Sequence, residues 1–383
     1  MTGIRQKLYS LQILRGLAAV WVVVFHLEFL AVHYFHDSQK FRLVHAGQLG
    51  VHLFFILSGF IIFWIHDPDA GKADPIRAYF LKRITRIYPL LLVLNIVKLA
   101  YMGLSGYGVR ENKFDLSSVL GSFLLLPTTT NFLIDVTWSL TYEIWFYLGF
   151  GILLLLGRNT LCRFGLGYGL LIIILNLPGL PSLEGMADFV FNPRILEFIL
   201  GCVIAFGLRW HSGPAKSTGF LFLTLGAAVV AIGLYNALDE TLPFLPDCAY
   251  WGTAFGLLLS GCLLLERSFD FSKPRLGILM GDASYSIYLA HSLTLNALAV
   301  VFQKLFPGAA GTALFLILFV CGLLSLVSGV ACYFWLERPM HRFSRKWVEQ
   351  GQSIGAPFAT LIQTGKPLPP SLAKPEIESN QTL

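Results

Sequence analysis

Residues 11–30 read LQILRGLAAVWVVVFHLEFL, an apolar run long enough to cross a hydrocarbon layer about 30 Å thick. Arg15, His26 and Glu28 interrupt it and no small-x-small site closes it, so it reads as a retained helix rather than a cleaved signal peptide. Comparable runs, bounded by Pro, Gly or charge, recur over approximately 50–65, 89–102, 136–156, 161–177, 194–208, 219–235, 250–265, 282–302 and 312–336. Backbone groups in lipid must be satisfied within the segment, so ten such runs predict an all-α, polytopic integral membrane protein of about ten transmembrane helices. Residues 119–126 are too short to cross and read as an interfacial or re-entrant piece before Pro127.

The remaining composition agrees. A chain of 383 residues that is 55% hydrophobic and 13% charged is no ordinary soluble enzyme, whose charged fraction is about a quarter. The pI near 9.0 is no argument for nucleic acid, because in a membrane protein the placement of cations matters more than their sum. With the N-terminus inside, 21 of the 28 Lys and Arg fall on the cytoplasmic side, which predicts both termini cytoplasmic together with the segment from Asp67 to Tyr88. The membrane domain is expected over 1–345. The Gly-, Ser- and Pro-rich residues 346–383 (GQSIGAP, KPLPPSLAKPE) cannot bury a core and read as a disordered cytoplasmic tail. Six scattered cysteines without CxxC spacing read as small apolar residues.

Ionisable side chains inside spans are expensive and therefore informative. Arg15 and His26 are eleven residues apart, a rotation within about 20° of three full turns and a rise of roughly 16 Å, so they share one helix face. Snorkelling of the Arg and an interhelical bond from the His would account for them equally well. Arg83 and Arg86 lie at i, i+3 and could clamp phosphate oxygens bidentately, although ordinary positive flanking also explains them. In 138–147, WSLTYEIWFY, Ser139 and Glu143 share a face, and the carboxylate needs a partner such as His or Arg. In 284–291, SYSIYLAH, Ser284, Tyr288 and His291 form a polar stripe that could simply bond across helices. Histidines 33, 36, 45 and 52 match no metal-ligand spacing, and no metal is expected. GxxxxGK and GxSxG are absent.

Taken in order, LRGLAAVWVVVFH, GVHLFFILSGFII, KRITRIYPL, WSLTYEIWFY, ILEFILG, SYSIYLAH and LERP resemble the acyltransferase 3 family of bacterial membrane acyltransferases, over about residues 9–340. Arg15 and His26 match the family's Arg, ten residues, His pattern, and Arg83 and Arg86 its RxxR. Trp138, Ser139 and Glu143 match WSLxxE; Ser284, Tyr285, Tyr288 and His291 match SYxxYLxH. His52 departs from the acidic residue of many members, and the chain looks like the stand-alone form without an extracellular hydrolase-like domain.

The resemblance implies transfer of an acyl group, usually acetyl, from cytoplasmic acyl-CoA to a hydroxyl of a surface carbohydrate such as O-antigen or exopolysaccharide, in the bacterial inner membrane and among its lipids. On that footing Arg15, Arg83 and Arg86 are the candidates for the CoA phosphates and His26 for the general base. Glu143 would steady the imidazolium, and Trp138, Ser139, Tyr288 and His291 would line the substrate site. An acyl-His intermediate stays open. The competing class is a transporter or flippase for a glycan or lipid-linked precursor, which ten spans with polar interiors also fit; against it, no inverted repeat is visible.

Overall fold

The computed structural model describes residues 8–35, 49–105, 115–127, 129, 131–210, 216–239 and 247–344. The predicted tail over 346–383, the loop cations Lys40, Arg42, Arg110 and Lys113, and His36 and His45 lie outside the described residues. Among the described residues thirteen α-helices follow one another: α1 (Tyr9–Phe35), α2 (Leu49–His66), α3 (Asp74–Ser105), α4 (Leu116–Leu124), α5 (Trp138–Leu155), α6 (Arg158–Leu175), α7 (Gly185–Val190), α8 (Ile195–Trp210), α9 (Lys216–Asp239), α10 (Asp247–Glu266), α11 (Arg275–Asp282), α12 (Ser284–Leu305) and α13 (Gly311–Cys332). Among the described residues there is no strand, and ten helical segments are long and apolar enough to cross a membrane. Residues 20–24, VWVVV, would favour a strand in water; in lipid only the helix satisfies their amides, and they lie within α1.

Nine of the ten predicted spans coincide with these helices to within a few residues at their ends. The third does not begin at Pro89. Its helix starts at Asp74, with Pro75 in the first turn, and runs through Pro89, which forfeits only one backbone hydrogen bond. Arg77, Lys82, Arg83 and Arg86 therefore stand on α3 rather than on a flanking loop, because their long side chains let a helix outrun its hydrophobic stretch. The short apolar run near 119–126 is the separate helix α4, capped by the Asp115 carboxylate, which accepts from the Ser118 amide at 3.0 Å. Hydrogen bonds from Ser117 and Ser118 hold that carboxyl below its usual range, at about 2.

The helices α1, α2 and α12 form the centre, whereas α6 and α9 turn mostly outward. Large apolar side chains such as Leu17, Leu104, Leu170 and Phe319 are exposed, as lipid contact requires. Helices α2 and α8 cross on glycine. A Cβ at Gly59 would stand 1.9 Å from the Phe198 carbonyl oxygen, and one at Gly201 would stand 2.1 Å from that of Ile56. Small residues at such a crossing let the two backbones touch, and packing at that contact replaces the hydrophobic drive that lipid cannot supply.

One end of the bundle is basic. Buried Asp67, just past α2, sits 2.9 Å from Arg158 Nε at the start of α6 and 2.8 Å from Arg209 Nη1 at the end of α8. At the same end the amides of Tyr9 and Ser10 bond the Glu266 carboxylate, so the start of α1 meets the end of α10. At the opposite end Gln303 donates to the Tyr34 carbonyl at 2.9 Å, and Arg194 lies over the Trp138 ring at 5.2 Å.

Candidate active site

Eight of the polar residues singled out in the sequence border one space. Arg15 from α1, Arg83 and Arg86 from α3, Ser139 and Glu143 from α5, and Ser284, Tyr285 and Tyr288 from α12 line a cavity of about 80 Å³, together with Ser58, Tyr147 and apolar residues of α2. Arg15 Nη2 donates to Ser284 Oγ at 2.9 Å, which joins the Arg of the first motif to the first residue of the last one. The charge of Arg15 works against that of Arg86 and is offset by the carboxylates of Glu337 and Glu143. Arg83 Nη2 donates to His66 Nε2 at 3.3 Å while His66 Nδ1 donates to Asp69 at 3.2 Å, and the Arg83 guanidinium lies 5.5 Å from the Tyr147 ring centre. Three guanidiniums around one narrow space suit a polyanion better than they suit each other.

Glu143 is held from two sides: Ser58 Oγ donates to it at 3.0 Å, and the Tyr147 hydroxyl, one helical turn further along α5, donates to the same oxygen. Tyr288 is fixed as firmly. Its hydroxyl donates to the Val136 carbonyl at 2.7 Å and lies 2.7 Å from Ser139 Oγ. Tyr285 donates to the Ile87 carbonyl at 2.6 Å, two residues before Pro89, and so ties α12 to α3 near the proline.

His26 and His291 do not line this cavity; they stand behind Tyr288. The His291 ring is 6.0 Å from that of Tyr288, and His26 meets His291 edge to face with centroids 4.7 Å apart. His26 Nδ1 bonds the Val22 carbonyl at 2.9 Å and His291 Nδ1 the Ile287 carbonyl at 3.1 Å. A carbonyl can only accept, so both rings carry the proton on Nδ1 and present Nε2 as a lone pair. Among the described residues, buried His291 Nε2 finds no hydrogen-bond partner. The structure does not bring Glu143 to His26: the tautomer of His26 is set by its own helix, and the carboxylate that acts on it electrostatically is Asp135, on the turn before α5. Trp138 stands outside the cavity, edge-on to Phe55 and under Arg194.

Ser58, Tyr147, His66 and Phe54 escaped the sequence reading. Tyr147 was findable, being at i+4 from Glu143 on the same helix face. Ser58 and Phe54 lie inside the quoted GVHLFFILSGFII, but periodicity does not say which of its residues turn toward another helix. His52 pairs with Glu197 of α8, both buried, and so bonds α2 to α8 away from the cavity.

Comparison with known proteins identifies the family. A family model described as an acyltransferase domain, that of acyltransferase 3, matches residues 8–334. The chain is 29% identical over 320 residues to the exopolysaccharide production protein ExoZ of Rhizobium meliloti (strain 1021), covering 81% of this chain and 95% of ExoZ. It is 26% identical to the acyltransferase MdmB of Streptomyces mycarofaciens, over 76% of this chain and 79% of MdmB. A protein of Staphylococcus aureus (strain COL) provisionally named an O-acetyltransferase is 23% identical over 73% of this chain and 49% of its own length. No solved structure matches the chain.

Proposed function

The chain belongs to the acyltransferase 3 family and is an integral-membrane O-acyltransferase, and from that premise we propose that it moves an acetyl group from cytoplasmic acetyl-CoA to a hydroxyl of a cell-surface carbohydrate in the bacterial inner membrane. The observation that carries this reading is the gathering of Arg15, Arg83 and Arg86 on one narrow cavity whose far wall, Tyr288, backs onto His291 and His26. The basic end of the bundle is the cytoplasmic one, as the cation placement argues. Coenzyme A ends in phosphates, which the guanidiniums take up at that end. Its pantetheine arm extends on the order of the 16 Å that separates Arg15 from His26 along α1, so the thioester reaches the neighbourhood of the imidazole.

There the acceptor hydroxyl gives its proton to His26 Nε2, the lone pair left free by the bond from Nδ1 to Val22. The oxygen attacks the thioester carbonyl, the carbon–sulfur bond breaks, and the proton passes from His26 to the departing thiolate, giving the O-acyl ester and free CoA. Glu143 acts in the donor cavity in this mechanism, as the counter-charge among three arginines and the anchor of Ser58 and Tyr147. Its influence on His26 runs through the position of the bound thioester. Ser139 and Tyr288 border the place where the two substrates meet, and Trp138 and Arg194 mark the acceptor's approach.

The similarity to an exopolysaccharide production protein favours a polysaccharide acceptor. Mass spectrometry of surface glycans from strains with and without the gene tests this, since loss of a 42 Da substituent (about one acetyl group) is expected. Identical glycans in the two strains, with the protein expressed, would refute it.

A further inference from the structure

The cavity described above ends before it reaches either histidine. Its end wall is made by Tyr288 and Phe54, whose rings meet edge to face with centroids 5.7 Å apart. Tyr288 cannot swing away cheaply, because its hydroxyl is tied to both Val136 and Ser139. Phe54 carries no such tether. It is half-buried on α2, packed between Tyr288 and the apolar cluster of Ala19, Val23, Ala283 and Ile287. The space this pair borders is small, about 80 Å³.

We propose that Phe54, packed against the immobilised Tyr288, sets the length of the acyl group this protein transfers and limits it to two carbons. The inference rests on the functional reading above. With the phosphates held at the arginines, the thioester carbonyl must come up to the Phe54–Tyr288 wall for a hydroxyl on the His26 side to attack it. The methyl of an acetyl group is then accommodated within the cavity. Each further methylene would have to occupy the place of the Phe54 ring, and a methylene that meets a wall is worth about 10–200-fold in discrimination. The reaction itself is unchanged by chain length: the same carbon–sulfur bond breaks, the same carbon–oxygen bond forms, and the proton follows the same route through His26.

The test uses membranes from cells expressing the full chain, with label followed from carbonyl-labelled acetyl-, propionyl- or butyryl-CoA into CoA-free, polysaccharide-bound product. The wild type is expected to transfer butyryl at least about 100-fold more slowly than acetyl. Phe54→Ala should raise the butyryl-to-acetyl ratio by about tenfold or more, and Phe54→Leu should lie between. Leu keeps most of the buried volume, so it reports even where the Ala variant does not accumulate. A wild type that transfers butyryl within about threefold of acetyl would overturn the proposal, and so would variants that keep acetyl transfer with an unaltered ratio. Wild-type membranes that move label from none of the three thioesters would instead overturn the functional reading and this inference with it, which separates the two failures.

Discussion

Replacing Arg86 by Ala should push two measurements in opposite directions. The charge of Arg86 opposes that of Arg15 across the cavity, and both belong to a membrane-spanning helix where water screens little. Removing it relieves that repulsion, so the ligand-free protein should unfold at the same or a higher temperature. Donor binding should suffer. A hydrogen bond from a charged group is worth about 1.5–3 kcal/mol, so loss of the guanidinium should weaken CoA about 10–150-fold. At a CoA concentration 100 times the wild-type dissociation constant, linkage stabilises the wild type by about 2.7 kcal/mol. A variant weakened about 100-fold would gain only about 0.4 kcal/mol, RT ln 2, at the same concentration. The assay is thermal unfolding of purified protein in detergent with and without CoA. Arg86→Lys should recover part of the shift, since the ammonium keeps the charge but not the fork. A variant that loses stability without ligand yet keeps the full CoA shift would refute the reasoning and return Arg86 to ordinary flanking charge.

His26→Ala should abolish transfer of labelled acetyl while keeping the CoA-induced shift in unfolding temperature, and His26→Gln should be nearly as poor, because Gln cannot take a proton at neutral pH; substantial turnover by either would move the base to another group, His291 first. Glu143→Gln keeps the shape but not the counter-charge, so its loss should show in donor affinity at least as much as in kcat, and an effect confined to kcat would restore a direct action on His26. Gly59→Val should destabilise the protein by at least about 1–3 kcal/mol by forcing α2 from α8, and a wild-type unfolding temperature for that variant would contradict the crossing. A Cys placed at Lys72 should resist labelling by impermeant reagents from outside intact cells, and ready labelling there would invert the proposed orientation.

The helices were legible in the sequence because hydropathy in lipid is nearly a sufficient rule, and it failed only where a helix outran its apolar stretch, at α3. The faces were legible too. Arg15 meets Ser284, and Ser139 meets Tyr288, as residues on the polar stripes of their helices. What stands opposite each stripe was not legible, since periodicity fixes a direction around one axis and says nothing of the neighbour. Glu143 needed a partner, and the sequence offered Arg or His; the structure supplies Ser58 and Tyr147 as its hydrogen-bond partners, with Arg15 on the same cavity as the charge it offsets. Nor could spacing foresee that the phosphate-binding candidates would line a cavity that neither imidazole borders.

On the proposed function, the glycine crossing of α2 and α8 governs traffic through the cavity. One side of α2 is pressed backbone to backbone against α8 at Gly59, while Phe54, Phe55, Ser58 and Ile62 of the same helix form a wall of the cavity. That wall cannot hinge outward, because Arg209 and Arg158 clamp its end through Asp67. A donor held as proposed would therefore thread lengthwise from the basic end, and spent CoA would back out along the same track. Turnover would then be paced by withdrawal of the product, and a desacetyl thioether of the same length should occupy the enzyme for longer than its affinity for the nucleotide end alone would suggest.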